Sequence, residues 1–284
     1  MTRTEDWGGL ASAPRWIIGI TGAYLCVGAF ALYVWSHAAP AFSMQATRGD
    51  AEALSVIGMA AAQAWLCLLA LRSFQPGAPL RRAWFLIMLS AATHLAGGLL
   101  SQLPAAATGI HQAALLLSGP VQMALLAAGL LAALRVLSKF GFQARPKAAG
   151  WALAGILILF TLARFASGDA ISLIRNLLLC ALSVEALFLW LSAARMGRGL
   201  IAKCWRAFAI GIFVLGFGEA ALWAIGSYFP GWLVAALEWY VCFPVAAAFA
   251  LAPAHTVAAV RRATGRVTAP STALPVFPRT APAN

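Results

Sequence analysis

AFAIGIFVLGFGEAALWAIGSYFPGWLVAALEWYVCFPVAAAFALA, residues 207–252, runs for forty-six residues with two charges, Glu219 and Glu238. An α-helix needs roughly 20 apolar residues to cross a hydrocarbon core. The stretch is long enough for two crossings, broken where Pro230-Gly231 marks a tight turn. It reads as a helical hairpin that enters a membrane and returns. The run is continuously apolar and does not alternate, which favours helices over a β-barrel.

Working outward, six more apolar runs occupy about 16–35, 54–71, 83–103, 113–134, 149–163 and 170–194. With 207–229 and 231–252 they make eight. The whole chain agrees: of 284 residues 62% are hydrophobic and 10% charged, against about 25% charged in a soluble domain. Nothing between the runs is long enough for a soluble domain. The expected fold class is an all-α integral membrane protein with eight transmembrane helices. The domain plan is a segment 1–15, a membrane domain 16–254, and a disordered tail 261–284 rich in Pro, Thr and Ala. The run at 16–35 is longer than the apolar part of a signal peptide, despite Ser36-His37-Ala38 after it, and reads as an uncleaved anchor.

The formal net charge is +12, but its distribution argues against nucleic acid. Seventeen of the twenty basic residues fall in alternate connections, and only Arg48, Arg164 and Arg175 fall on the other side. The positive-inside rule then puts both termini in the cytoplasm, as an even number of spans also requires. The content of Ala, Arg and Gly suggests a GC-rich bacterial genome, and the expected location is the bacterial inner membrane. Five cysteines, at 26, 67, 180, 204 and 242, show no metal-binding spacing and read as small buried residues.

An internal repeat is also legible. AWFLIMLSAATHLAGGLLSQLP (83–104) is similar to AFAIGIFVLGFGEAALWAIGSYFP (207–230); both follow basic residues and end in proline. SGPV (118–121) then parallels CFPV (242–245), and Gln63 parallels Glu185. Two halves, 16–140 and 149–260, would each hold four helices in the same orientation, related by an axis along the membrane normal.

The acids raise the functional question. A carboxylate at the centre of a membrane helix costs about 2.5–3.5 kcal/mol, so it faces other helices or a wet cavity. Glu185, Glu219 and Glu238 fall in three consecutive runs, and Gln63, His94 and Gln122 hold comparable positions in the first half. Arg175 and Asn176 open the sixth run, where Arg175 can reach the interface or pair with Asp169. Pro120 and Pro244 each remove a backbone donor within a run, freeing the carbonyls of Leu116 and Tyr240. The plainer alternative is that each acid makes one interhelical hydrogen bond, worth about 0.6 kcal/mol on average, and that the prolines only kink. Trp16, Trp35, Trp84, Trp151 and Trp232 read as interfacial anchors; Trp65, Trp190, Trp223 and Trp239 lie deeper and read mostly as packing. Gly58/Ala62 and Ala60/Ala64 suit close helix packing.

No catalytic signature is present, and GFGEAA (216–221) is not a dinucleotide loop because no strand precedes it. No cofactor or metal is evident. The expected function is a transporter or channel-like protein for a small polar or cationic solute, proton-coupled through intramembrane glutamates. Its binding residues would be Glu219, Glu238, Glu185 and His94, with Arg175, Asn176, Gln63, Pro120 and Pro244 in support. The alternative is a non-catalytic anchor or assembly subunit of a larger redox complex handling quinone or haem. Expected partners are the lipid bilayer, a small solute or proton, and partner subunits in the alternative; nucleic acid is excluded.

Overall fold

The computed structural model describes residues 44–101, 109–142, 148–165, 170–197, 199–225, 228–229 and 231–268. They form seven α-helices and no strand: α1 Met44–Ser73, α2 Arg81–Leu100, α3 Gly109–Lys139, α4 Ala148–Phe165, α5 Ala170–Arg195, α6 Leu200–Ile225 and α7 Gly231–Thr268. The apolar run at 16–35 and its tryptophans lie outside the described residues.

Among the described residues, four segments are long and apolar enough to cross a membrane: Arg81–Leu100, Gln112–Lys139, Leu173–Arg195 and Leu200–Ala224. Ile57–Ser73 in α1 and Gly150–Leu162 in α4 are apolar but shorter. The chain is thus helical and suited to a bilayer, with four spans supported by length and composition rather than the eight expected. Two helices overrun the apolar runs. α1 starts at Met44, inside the expected outer connection, and α7 continues to Thr268, past Arg261 where the tail was expected to begin. The added segments are polar and contain good helix formers such as Ala, Arg and Gln, so the hydrogen-bond ladder continues where the apolar pattern stops.

Helices that follow one another run antiparallel. The position of a Cβ at Gly98 meets Ile57, and one at Gly129 meets Ile87 and the Ala83 carbonyl. Thr161 bonds Asn176 across α4 and α5, and Gly211 faces Ala248 across α6 and α7. This up-and-down order gathers Arg72, Arg81, Arg82, Arg135, Lys139, Arg195, Lys203, Arg206 and Arg261 at one end of the bundle. The connections there are glycine-dependent. Gly77, Gly141 and Gly197 have φ of 88°, 80° and 78°, a region that costs L-residues free energy. Across Gly141 the Phe142 amide bonds the Leu137 carbonyl at 3.0 Å, the closing bond of a Schellman turn. Arg206 reaches over to cap α5, donating to the carbonyls of Gly197 at 2.6 Å and Ala193 at 3.3 Å.

The packing order closes on itself. α1 packs on α2, α2 on α3, α3 on α5, α5 on α6, α6 on α7, and α7 back on α1. α4 sits outside this ring against α5 and α6. At the basic end the ring is filled by aromatic side chains from opposite helices. Trp84 of α2 lies 5.8 Å from Trp205 and 6.2 Å from Phe208 of α6, and Phe208 meets Phe249 of α7 edge-on at 5.0 Å. Trp84 is fully buried, so it is a core residue rather than the expected interfacial anchor. Trp65 and Trp190, expected in packing, are half-exposed on the outside instead. In lipid no hydrophobic force drives helices together, so dispersion and close approach at small residues must hold them. The close approaches are at Gly129, Gly211, Gly216 and Gly218; the expected Gly58 faces open space.

Candidate functional site

The polar groups at membrane depth concentrate on α5. Its residues 175, 179 and 183 recur every turn and face α6, where Gly216 lets the two backbones meet. A Cβ at Gly216 would fall 2.6 Å from the Leu179 carbonyl and 2.5 Å from the Ser183 hydroxyl. One turn along α6 from Gly216 is Glu219. Its carboxylate lies 3.5 Å from the Arg175 guanidinium, and the two side chains are 12% and 36% exposed respectively. The guanidinium also stacks on Trp223, 4.4 Å from the ring centroid. Arg175 therefore pairs across helices with Glu219. Asp169, the other partner considered from sequence, lies outside the described residues.

The next face of α5 turns to α4. Asn176 is fully buried and donates to the Thr161 hydroxyl at 3.0 Å. Thr161 donates in turn to the Leu157 carbonyl at 2.9 Å, and the Cys180 thiol donates to the same carbonyl at 3.6 Å. The Nε of Arg175 and the Oδ1 of Asn176 are buried with no hydrogen-bond partner in the protein. Polar capacity thus exceeds what the helices satisfy, in the wedge where α4, α5 and α6 meet.

Glu185 points elsewhere. It lines a groove of about 530 Å³ between α4 and α5, and its Oε2 is buried without a partner. Glu185 and Glu219 thus serve different interfaces. Glu238 lies in α7, where Gly218 facing Val241 sets its register about half a turn, roughly 3 Å, from the level of Glu219; its side chain lies outside the described residues.

The first half carries a smaller polar set. His94 Nδ1 is 3.1 Å from Gln122 Oε1, and Ser90 donates to the Gln122 carbonyl at 2.8 Å. These contacts join α2 to α3 just past Pro120, which stands inside α3. Pro244 stands inside α7, and its own carbonyl lies 2.7 Å from where a Cβ of Gly211 would be. Gln63 is buried in α1. The structure therefore brings Glu219, Arg175 and Asn176 together, joins His94 to Gln122, and sets Glu185 apart. Sequence reasoning missed Thr161 and Cys180. The signal was present: Asn176 and Cys180 are one turn apart, and Thr161 is the lone hydroxyl in its apolar run.

Among the described residues no cluster of three or more metal-ligating side chains occurs. No protein-family model, curated protein or solved structure matches the chain.

Proposed function

We propose that the chain is a polytopic carrier or channel-like protein of a bacterial inner membrane, moving a small cationic or polar solute with Glu219 as the binding acid. In this reading eight helices form two similarly oriented halves with both termini in the cytoplasm. The packing order supports the two halves: exchanging α1, α2 and α3 for α5, α6 and α7 turns the ring's contacts into one another. The gathering of basic residues at one end supports a cytoplasmic face there.

The observation that carries the reading is the Arg175–Glu219 pair, an acid 12% exposed on a helix suited to span a bilayer. A cation arriving at Glu219 displaces an internal cation already there. Arg175 is 36% exposed, so it can swing towards the interface when released. Bound and empty states then keep the same net charge at depth, which limits the desolvation cost of exchange. A proton can play the same part at Glu219, which is how flux would couple to it.

Uptake of radiolabelled methylammonium into proteoliposomes tests this. Glu219→Gln should abolish saturable uptake, whereas Arg175→Gln should raise apparent affinity at the expense of release. Uptake unchanged in Glu219→Gln defeats the proposal. The second reading, a non-catalytic anchor or assembly subunit, has one observation in its favour. Among the described residues α4 packs against α5 and α6, leaving Trp151, Ile158, Leu159 and Leu162 outward. Purification with a stoichiometric second polypeptide that protects these residues would favour it.

A further inference from the structure

We propose that the groove between α4 and α5 binds a neutral, lipid-soluble molecule whose carbonyl oxygen accepts a hydrogen bond from Glu185. The walls are apolar, with Leu157, Leu177 and Ala181 among them. The polar groups on the wall are occupied by the protein itself. Thr161 donates to the Leu157 carbonyl and accepts from Asn176, and the Cys180 thiol donates to Leu157 as well. Glu185 is the exception: it lines the groove, and its Oε2, turned into the protein, has no partner there, so rotation of the carboxyl brings that oxygen to an occupant without breaking a bond. One end of the groove can therefore make a polar contact, and the rest can only pack.

Depth decides the class of ligand. Glu185 stands midway along Leu173–Arg195, the apolar segment of α5. A phospholipid or other charged amphiphile holds its head at the interface, about 15 Å away for a core of about 30 Å. Such a molecule can lay only a tail beside Glu185. A molecule that brings a polar atom to this depth must be dissolved in the hydrocarbon and uncharged. An ionised carboxylate is expensive there, whereas the neutral acid offers one O–H donor. A donor requires an acceptor, and a ring or chain carbonyl supplies one without a charge. From Leu177 to Glu185 the groove follows α5 for about 12 Å, room for an apolar body attached to that carbonyl. Quinone and ketone chemistry both fit. The proposal shares with the transport reading only the crossing of the bilayer by α5, and its test reads occupancy rather than flux, so either can fail alone.

The test is photolabelling of the full chain in phosphatidylcholine nanodiscs with an azido-decylbenzoquinone, located by peptide mass spectrometry. Label should concentrate on α4 and α5 around the groove and be prevented by unlabelled decylbenzoquinone. Glu185→Leu should weaken that protection about tenfold. Glu185→Gln should keep it, because an amide still donates. Ala181→Phe fills the groove at an exposed position and should remove it. Helicity and elution volume establish that each variant is folded, and should Glu185→Leu fail this, Ala181→Phe decides. Label spread evenly over lipid-facing helices and indifferent to Ala181→Phe overturns the proposal. So does displacement by dodecylamine that Glu185→Gln abolishes, which marks a cationic occupant, or displacement by oleate alone, which marks an acyl chain.

Discussion

Replacing Arg175 and Glu219 singly and together isolates the contact on which the site depends. At the observed 3.5 Å, two unit charges attract by about 1 kcal/mol in a water-like medium and about 5 kcal/mol at an effective dielectric of about 20. Arg175 is 36% exposed and Glu219 12%, so screening on the arginine side brings the expected coupling down to about 1–3 kcal/mol, within the range for residues in contact. Arg175→Gln removes the guanidinium from the acid, and Glu219→Gln removes the carboxylate from the guanidinium, which keeps its stacking on Trp223. The two single losses should therefore add up to more than the loss seen in the double variant, by the coupling. The measurement is unfolding of the detergent-solubilised chain by sodium dodecyl sulfate, followed by circular dichroism near neutral pH, for all four corners of the cycle. A coupling below about 0.5 kcal/mol, the usual error of additivity, refutes the reasoning. It would mean that the pair is a surface contact already satisfied by headgroups.

Four further outcomes follow from packing and hydrogen bonding. Gly216→Ala places a Cβ 2.6 Å from the Leu179 carbonyl and should destabilise by about 1–3 kcal/mol in the same assay. Gly155→Ala meets nothing within 4 Å and should be neutral or stabilise by up to about 1 kcal/mol. Trp84→Ala, in the filled end of the ring, should cost about 3–5 kcal/mol, while Trp151→Ala, mostly exposed on α4, should stay within about 0.5 kcal/mol. Ser90→Ala removes the bond to the Gln122 carbonyl; a loss of about 0.6–1 kcal/mol, undiminished in high salt, is expected.

The helical class and the antiparallel order were legible because both follow from apolar run length and from where the basic residues interrupt it. Helix ends were less legible. α1 and α7 outrun their apolar cores, because backbone hydrogen bonding does not stop where lipid does. Which side of a helix faces the bundle was largely hidden. An apolar surface suits both a neighbouring helix and an acyl chain, so Trp84 and Trp65 could be placed in depth but not in direction. The same ambiguity hid the separation of Glu185 from Glu219, which depends on the rotation of α5. In the sequence Arg175 reads as a residue seeking a partner, but Glu219 lies forty-four positions away and the α5–α6 packing joins them.

α4 holds a different mechanical position from the other helices. Six helices each have two flanking neighbours in a closed circuit, so tilting one strains the whole circuit. Among the described residues α4 leans on that circuit from outside, packed against α5 and α6. Of the described helices it has the least packing to give up on moving, and its Thr161 is what ties it to Asn176 on α5, beside the groove that Glu185 lines. Motion in this molecule is therefore cheapest at the flank, like a shutter against a rigid frame, and the polar groups of α5 lie behind that shutter.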